Sequence, residues 1–79
     1  MQKKLLTAKE IEINRWYNCR IGDSDELCKV RLWSIYDERT GVRVFHYAVT
    51  CYYTGKDLYV GQLSECRKWL AERLNYGKN

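Results

Sequence analysis

The longest apolar stretch of the chain is Val42 to Tyr53, VRVFHYAVTCYY, almost all β-branched, aromatic or small apolar residues. It reads as the central strand of a sheet. Turn signals bracket it, DERTG before and TGKD after, so a strand is expected on each flank. Residues 15–21 (RWYNCRI) and 27–36 (LCKVRLWSIY) flank a polar GDSDE turn and read as the preceding hairpin. A turn centred on Asp23 and Ser24 sets Cys19 opposite Cys28; a second, with loop Glu38 to Gly41, sets Cys28 opposite Cys51. Tyr17, Cys19, Ile21, Cys28, Val30 and Leu32 then share one apolar face with Phe45, Tyr47, Val49, Cys51 and Tyr53. A one-residue slip at the second turn would exchange the last five for Val44, His46, Ala48, Thr50 and Tyr52, a poorer core, and this preference selects the register.

In the third turn Gly55 stands where a type II′ hairpin wants its first central residue, pairing Tyr53 with Leu58 and Cys51 with Val60. The strands form an antiparallel meander, and the first of them is an edge open to sheet extension between copies of the chain. Gln62 to Tyr76 is the clearest helix, with Leu63, Cys66, Trp69, Leu70 and Leu74 at helical spacing and Gly77 as its terminator. It covers the apolar face, so Trp69→Ala is expected to be severely destabilising. Near the start, Thr7 and Glu10 fit a capping box with Leu6 and Ile11 as a hydrophobic staple, predicting a short N-terminal helix. The expected fold class is α+β: a three- to four-stranded antiparallel meander packed on one C-terminal helix, with residues 1–79 as one small domain.

Composition supports folding, since 46% of the 79 residues are hydrophobic, with three Trp and seven Tyr among them. The net charge of +4 favours acidic or polyanionic partners. MQKKLL at the start holds no apolar run long enough for a signal peptide or a membrane span, so no membrane partner and a cytoplasmic location with reduced thiols are expected. Cys19, Cys28, Cys51 and Cys66 lack a CxxC knuckle; buried free thiols are favoured over a zinc site or a Cys19 to Cys28 disulfide. No cofactor is expected. His46, the single histidine, falls on the face opposite the cysteines, and the carboxylates lie in turns at opposite ends of the sheet, so catalysis is not expected.

The second sheet face carries the functional candidate. It collects Trp16, Arg20, Lys29, Arg31, Trp33, His46 and Tyr52, with Trp16 across from Arg31 and Trp33 across from His46. The strands contributing it contain no Asp or Glu, those being placed in the turns, Asp57 among them. Cations interleaved with aromatics can contact phosphates and stack on bases. The competing expectation is that Leu5, Leu6 and Ile11 cover Trp33, Ile35 and Val44, leaving an ordinary cation–π pair of Trp16 and Arg31 at a wet surface. The order of strands then helix is similar to that of AP2-type DNA-binding domains and of the arm-site domains of some integrases, which implies a sheet that enters the major groove. A small stand-alone domain also resembles phage-encoded accessory proteins, including anti-CRISPR inhibitors. Two functions are therefore expected, both non-enzymatic: binding of nucleic acid or a nucleoprotein complex through this face, or inhibition or adaptation of a nucleic-acid-processing protein by protein contact.

Overall fold

In the computed structural model, which describes residues 6–75, four antiparallel strands form a meander in the order β1-β2-β3-β4: β1 Tyr17–Ile21, β2 Ser24–Asp37, β3 Val42–Cys51 and β4 Asp57–Gly61. One helix, α1 (Leu63–Ala71), packs on the sheet, and a single 3₁₀ turn, Ala8–Glu10, precedes it in the chain. The architecture is the α+β meander that the alternation predicts. The expectations for Leu5, for the helix end at Tyr76 and for Gly77 lie outside the described residues.

The β2–β3 register is the predicted one, with Cys28 opposite Cys51 and Trp33 opposite His46. Apolar parity decides it, because any odd slip would send the valines to the wrong face. The β1–β2 register differs by two residues: Cys19 faces Glu26, and Tyr17 faces Cys28. Gly22 adopts φ +60° directly after Ile21, which pairs with Ser24, so the loop is two residues long and centred earlier than the polar run suggests. An even shift leaves the faces unchanged.

The β3–β4 register is a larger correction. Gly55, at φ +70°, closes a loop in which its N–H donates to the Cys51 carbonyl at 2.9 Å, so it ends the turn instead of beginning it. Gly41 does the same against Asp37 at the tip of the β2–β3 hairpin, with φ +70° and a 2.8 Å bond. β3 therefore stops at Cys51, Val49 pairs with Tyr59 and Ala48 with Val60, and an irregularity between Val49 and Thr50 brings Asp57 opposite Thr50. Tyr59 faces the core in place of Val60.

The helix ends sooner than its periodicity suggests. After Ala71 the chain turns and lies along β1: the Arg20 N–H donates to the Arg73 carbonyl at 2.7 Å and the Asn75 N–H to the Asn18 carbonyl at 2.9 Å. Leu74 bridges Cys19. The unpaired backbone of an edge strand competes for these residues and wins over one more helical turn. The expected open edge at β1 is thereby closed.

From Leu6 onward the N-terminal segment makes one 3₁₀ turn in place of the expected helix. The Glu10 carboxylate accepts bonds from the Thr7 N–H at 3.0 Å and the Thr7 hydroxyl at 3.1 Å, as a capping box does. Ile11 then enters the core beside Cys66, Leu70, Val30 and Val49, and Ile13 bridges Val30 in parallel. Leu6 and Ile11 thus pack on the helix side of the sheet, not across Trp33 and Val44.

Two lengths set the overall shape. α1 has nine residues, about 13 Å of helix, whereas β2 has 14, roughly 45 Å of strand. The helix covers the sheet near Cys28, Val30 and Val49, and the distal β2–β3 hairpin runs out beyond it, giving extents of 55 × 25 × 17 Å. Leu32, Phe45 and Tyr53, assigned to the core by parity, are 53%, 58% and 66% exposed.

Candidate interaction surface

The outer face of the sheet gathers the predicted residues into three groups. At one end the Lys29 ammonium lies 4.7 Å from the centre of the Trp16 ring, and Trp16 meets Tyr52 edge-to-face at 5.1 Å. Lys29, not Arg31, is the cation on Trp16, as the two-residue register shift requires. In the middle the Arg31 guanidinium donates through Nε to the Thr50 hydroxyl at 2.7 Å and through a terminal nitrogen to Asp57 Oδ1 at 2.8 Å. The Thr50 hydroxyl donates to the same Asp57 oxygen at 2.7 Å. Toward the hairpin, Trp33 lies against His46, with ring centres 5.9 Å apart. Arg20 stands apart, paired with Asp25 at 3.1 Å.

The middle group changes the electrostatics of this face. Sequence parity places cations and no acids here, but the β4 irregularity carries Asp57 out of its turn and onto the face beside Arg31. Arg20 is neutralised in the same manner by Asp25. Of the three cations proposed for phosphate contact, Lys29 alone has no carboxylate against it among the described residues, and it is seated on an indole. The exposed part of the face is thus more aromatic than basic. Arg31→Glu is correspondingly a poor probe of binding, since it sets a second carboxylate beside Asp57 and breaks the triangle that buries Thr50.

Beyond the helix, the distal β2–β3 hairpin forms an arm with apolar side chains on both faces. Trp33, Ile35, Val42 and Val44 line one; Leu32, Tyr36 and Phe45 line the other, where Arg43 lies over the Tyr36 ring at 5.6 Å and donates to the Ser34 hydroxyl at 3.1 Å. Ile35, Tyr36, Val42, Val44 and Phe45 are each at least 40% exposed. A shallow depression near the tip is lined by Ile35, Tyr36, Asp37, Glu38, Arg39 and Val44. Charges at the tip are mixed, Asp37 and Glu38 against Arg39. Alternation alone hides this surface, because it assigns Leu32 and Phe45 to the core; the comparison of strand and helix lengths is the signal that exposes it.

The four cysteines are buried free thiols on the helix side of the sheet. Cys28 and Cys51 are cross-strand neighbours, and the Cys51 thiol approaches Glu26 Oε2 at 3.5 Å. A hydrogen bond shared with Cys28, together with burial, pushes the Cys19 thiol far above its usual range; the same bond lowers Cys28. Burial also raises Cys66. Cys19 and Cys66 ionise at higher pH in the fold than in the unfolded chain, so above about pH 8.5 the folded state holds more protons and stability falls as pH rises. Cys28 acts in the opposite sense, but only below the ordinary thiol range, so it does not offset this alkaline decline. Urea unfolding between pH 8 and 10 under reducing conditions should show this decline; a flat or rising profile would show that the thiols do not govern alkaline stability.

Comparison with protein-family models, with curated proteins and with solved structures finds no match for this chain. The likeness to AP2-type and integrase arm-site domains rests on the order of strands and helix alone.

Proposed function

We propose that this protein is a non-enzymatic binding protein that works by protein contact, using the β2–β3 arm as its docking surface on a nucleic-acid-processing protein or complex. The observation that carries this reading is the arm itself: apolar side chains exposed on both faces of a ribbon that the helix is too short to cover. An exposed apolar patch of this kind, edged by mixed charge, is characteristic of a protein interface. The net charge of +4 suits an acidic partner surface, or the phosphates carried by a nucleoprotein complex.

Binding through Leu32 and Phe45, which lie on one face of the arm, should fail in the double variant Leu32→Lys with Phe45→Lys. Two lost apolar anchors at about 2 kcal/mol each correspond to a loss of affinity of several hundredfold. The core should survive, since both residues are more than half exposed. Quantitative cross-linking from cells compares the parent and this variant; a partner set that is identical for both would refute docking through the arm.

The Lys29, Trp16 and Tyr52 cluster supports a second reading, in which a base stacks on the aromatics and one phosphate meets Lys29. Fluorescence anisotropy with labelled single- and double-stranded DNA and RNA separates the two. With Arg31 and Arg20 neutralised, binding is expected to be weak, with a salt slope equivalent to about one or two phosphate contacts. Tight binding with a steep slope would instead make nucleic acid the ligand.

A further inference from the structure

The arm has a free edge as well as two exposed faces, and the edge is self-complementary. The Asn14 N–H donates to the Val30 carbonyl at 2.8 Å on the outer side of β2, while the Leu27 carbonyl accepts from the Tyr52 N–H toward β3. In the β2 ladder, even-numbered residues therefore direct their N–H and carbonyl groups away from β3. Beyond Val30 these outward groups belong to Leu32, Ser34 and Tyr36. Among the described residues no backbone group pairs with them, and the Leu32 carbonyl takes only a 3.1 Å bond from the Arg31 side chain.

We infer that this edge pairs with the same edge of a second copy of the chain, antiparallel about a two-fold axis at Ser34. In that register Ser34 faces Ser34, Leu32 faces Tyr36, Trp33 faces Ile35 and Arg31 faces Asp37, each with its counterpart in the other copy. The outward groups of Leu32, Ser34 and Tyr36 then exchange about six backbone hydrogen bonds. The small Ser34 side chains stand at the axis, and apolar residues meet apolar residues on both faces. At each end Asp37 faces Arg31 but stays in its own turn, accepting from the Arg39 N–H at 3.0 Å, as Arg31 stays with Asp57, so the pairing rests on backbone bonds and apolar contact.

The other free edge of the arm fits itself less well. β3 is already paired with β4 at Tyr47, so only Val42 to His46 remain, and centring on Val44 sets Arg43 against Phe45 with no charge pair. The β2 edge is longer, matches donors to acceptors and sets apolar residues against apolar residues. Edge pairing produces a continuous sheet β3-β2-β2-β3 and leaves the faces carrying Leu32 and Phe45 available to a partner protein. A two-stranded ribbon, marginal alone, becomes the centre of four strands.

Size-exclusion chromatography with light scattering, from micromolar to millimolar protein, tests the pairing. The expected result is a concentration-dependent shift from the 9.5 kDa chain mass to twice that value. Ser34→Pro removes an outward N–H without touching the β2–β3 ladder, so it should keep the thermal transition and remain monomeric throughout. In a second measurement, Ser34→Cys should form an intermolecular disulfide under mild oxidation, because directly opposed strand residues lie about 5.5 Å apart at Cα. Ser64→Cys, exposed on the helix, should not. A monomer at millimolar concentration, or a dimer that persists in Ser34→Pro, overturns the inference. Partner cross-linking of Ser34→Pro distinguishes the two proposals: loss of the dimer with the partner retained leaves docking by the arm faces standing.

Discussion

Leu70→Ala should remove a large share of the protein's stability. Leu70 is fully buried, the centre of the contact between α1 and the sheet, where it shares a core with Ile11, Val30, Val49 and Cys66. Removing it costs about 2 to 5 kcal/mol, depending on how far the cavity collapses. Collapse is restricted here, because the rigid sheet lies on one side and the N-terminal segment, tied to the helix by the Arg67 bond to the Ile11 carbonyl at 3.1 Å, lies on the other. A domain of this size has a total stability of only about 4 to 12 kcal/mol. Trp69, expected from periodicity to be the decisive helix residue, is half-buried: it stacks on Tyr59 at 6.0 Å with the Arg73 guanidinium 3.9 Å from its ring centre. Trp69→Ala should therefore cost less than Leu70→Ala. Urea denaturation of both variants gives the order; a lower midpoint for Trp69→Ala would place the helix seat elsewhere.

Asp57→Ala should have two effects of opposite sign, lower stability and higher affinity for polyanions. One Asp57 oxygen accepts from Arg31 and Thr50, while the Thr50 hydroxyl accepts from Arg31 Nε, so the three side chains close a triangle. Without the carboxylate, the Thr50 hydroxyl, in a residue only 8% exposed, loses its acceptor and Arg31 loses its counter-charge. Such losses cost about 1 to 3 kcal/mol when fully buried. The lower half of that range applies here, because the Arg31 and Asp57 side chains keep 34% and 26% exposure. The freed guanidinium stands beside Trp33 and Lys29 on the outer face, where it can meet a phosphate. Anisotropy with labelled DNA should show tighter binding at low salt and a salt slope steeper by about 0.9. A variant as stable as the parent with unchanged DNA affinity would mean that Asp57 does not neutralise this face.

Prolines that never appear, turns with glycine and an unbroken alternation make the meander legible from residue types alone. The β2–β3 pairing was legible because its two candidate registers differ in core quality. The turns were harder to read. Gly22 and Gly55 both have positive φ, yet Gly22 opens its turn and Gly55 closes its own, a distinction that a glycine in sequence does not carry. The placement of Trp16, Lys29, Trp33 and Tyr52 on one face was legible by parity, and the structure brings Trp16, Lys29 and Tyr52 together.

By itself, then, the sequence determined the fold class, the strand order, the faces of β1 to β3 and the position of the helix, since each follows from local periodicity and turn chemistry. The tertiary structure decided three things. It ended the helix at Ala71, because the unpaired edge of β1 draws Arg73 to Asn75 into backbone bonds. It neutralised Arg31 and Arg20, because the irregularity in β3–β4 pairing brings Asp57 beside Arg31 and the two-residue shift of the β1–β2 register sets Asp25 opposite Arg20. It exposed Leu32 and Phe45, because burial depends on what lies above a residue, and a nine-residue helix cannot cover a strand of 14.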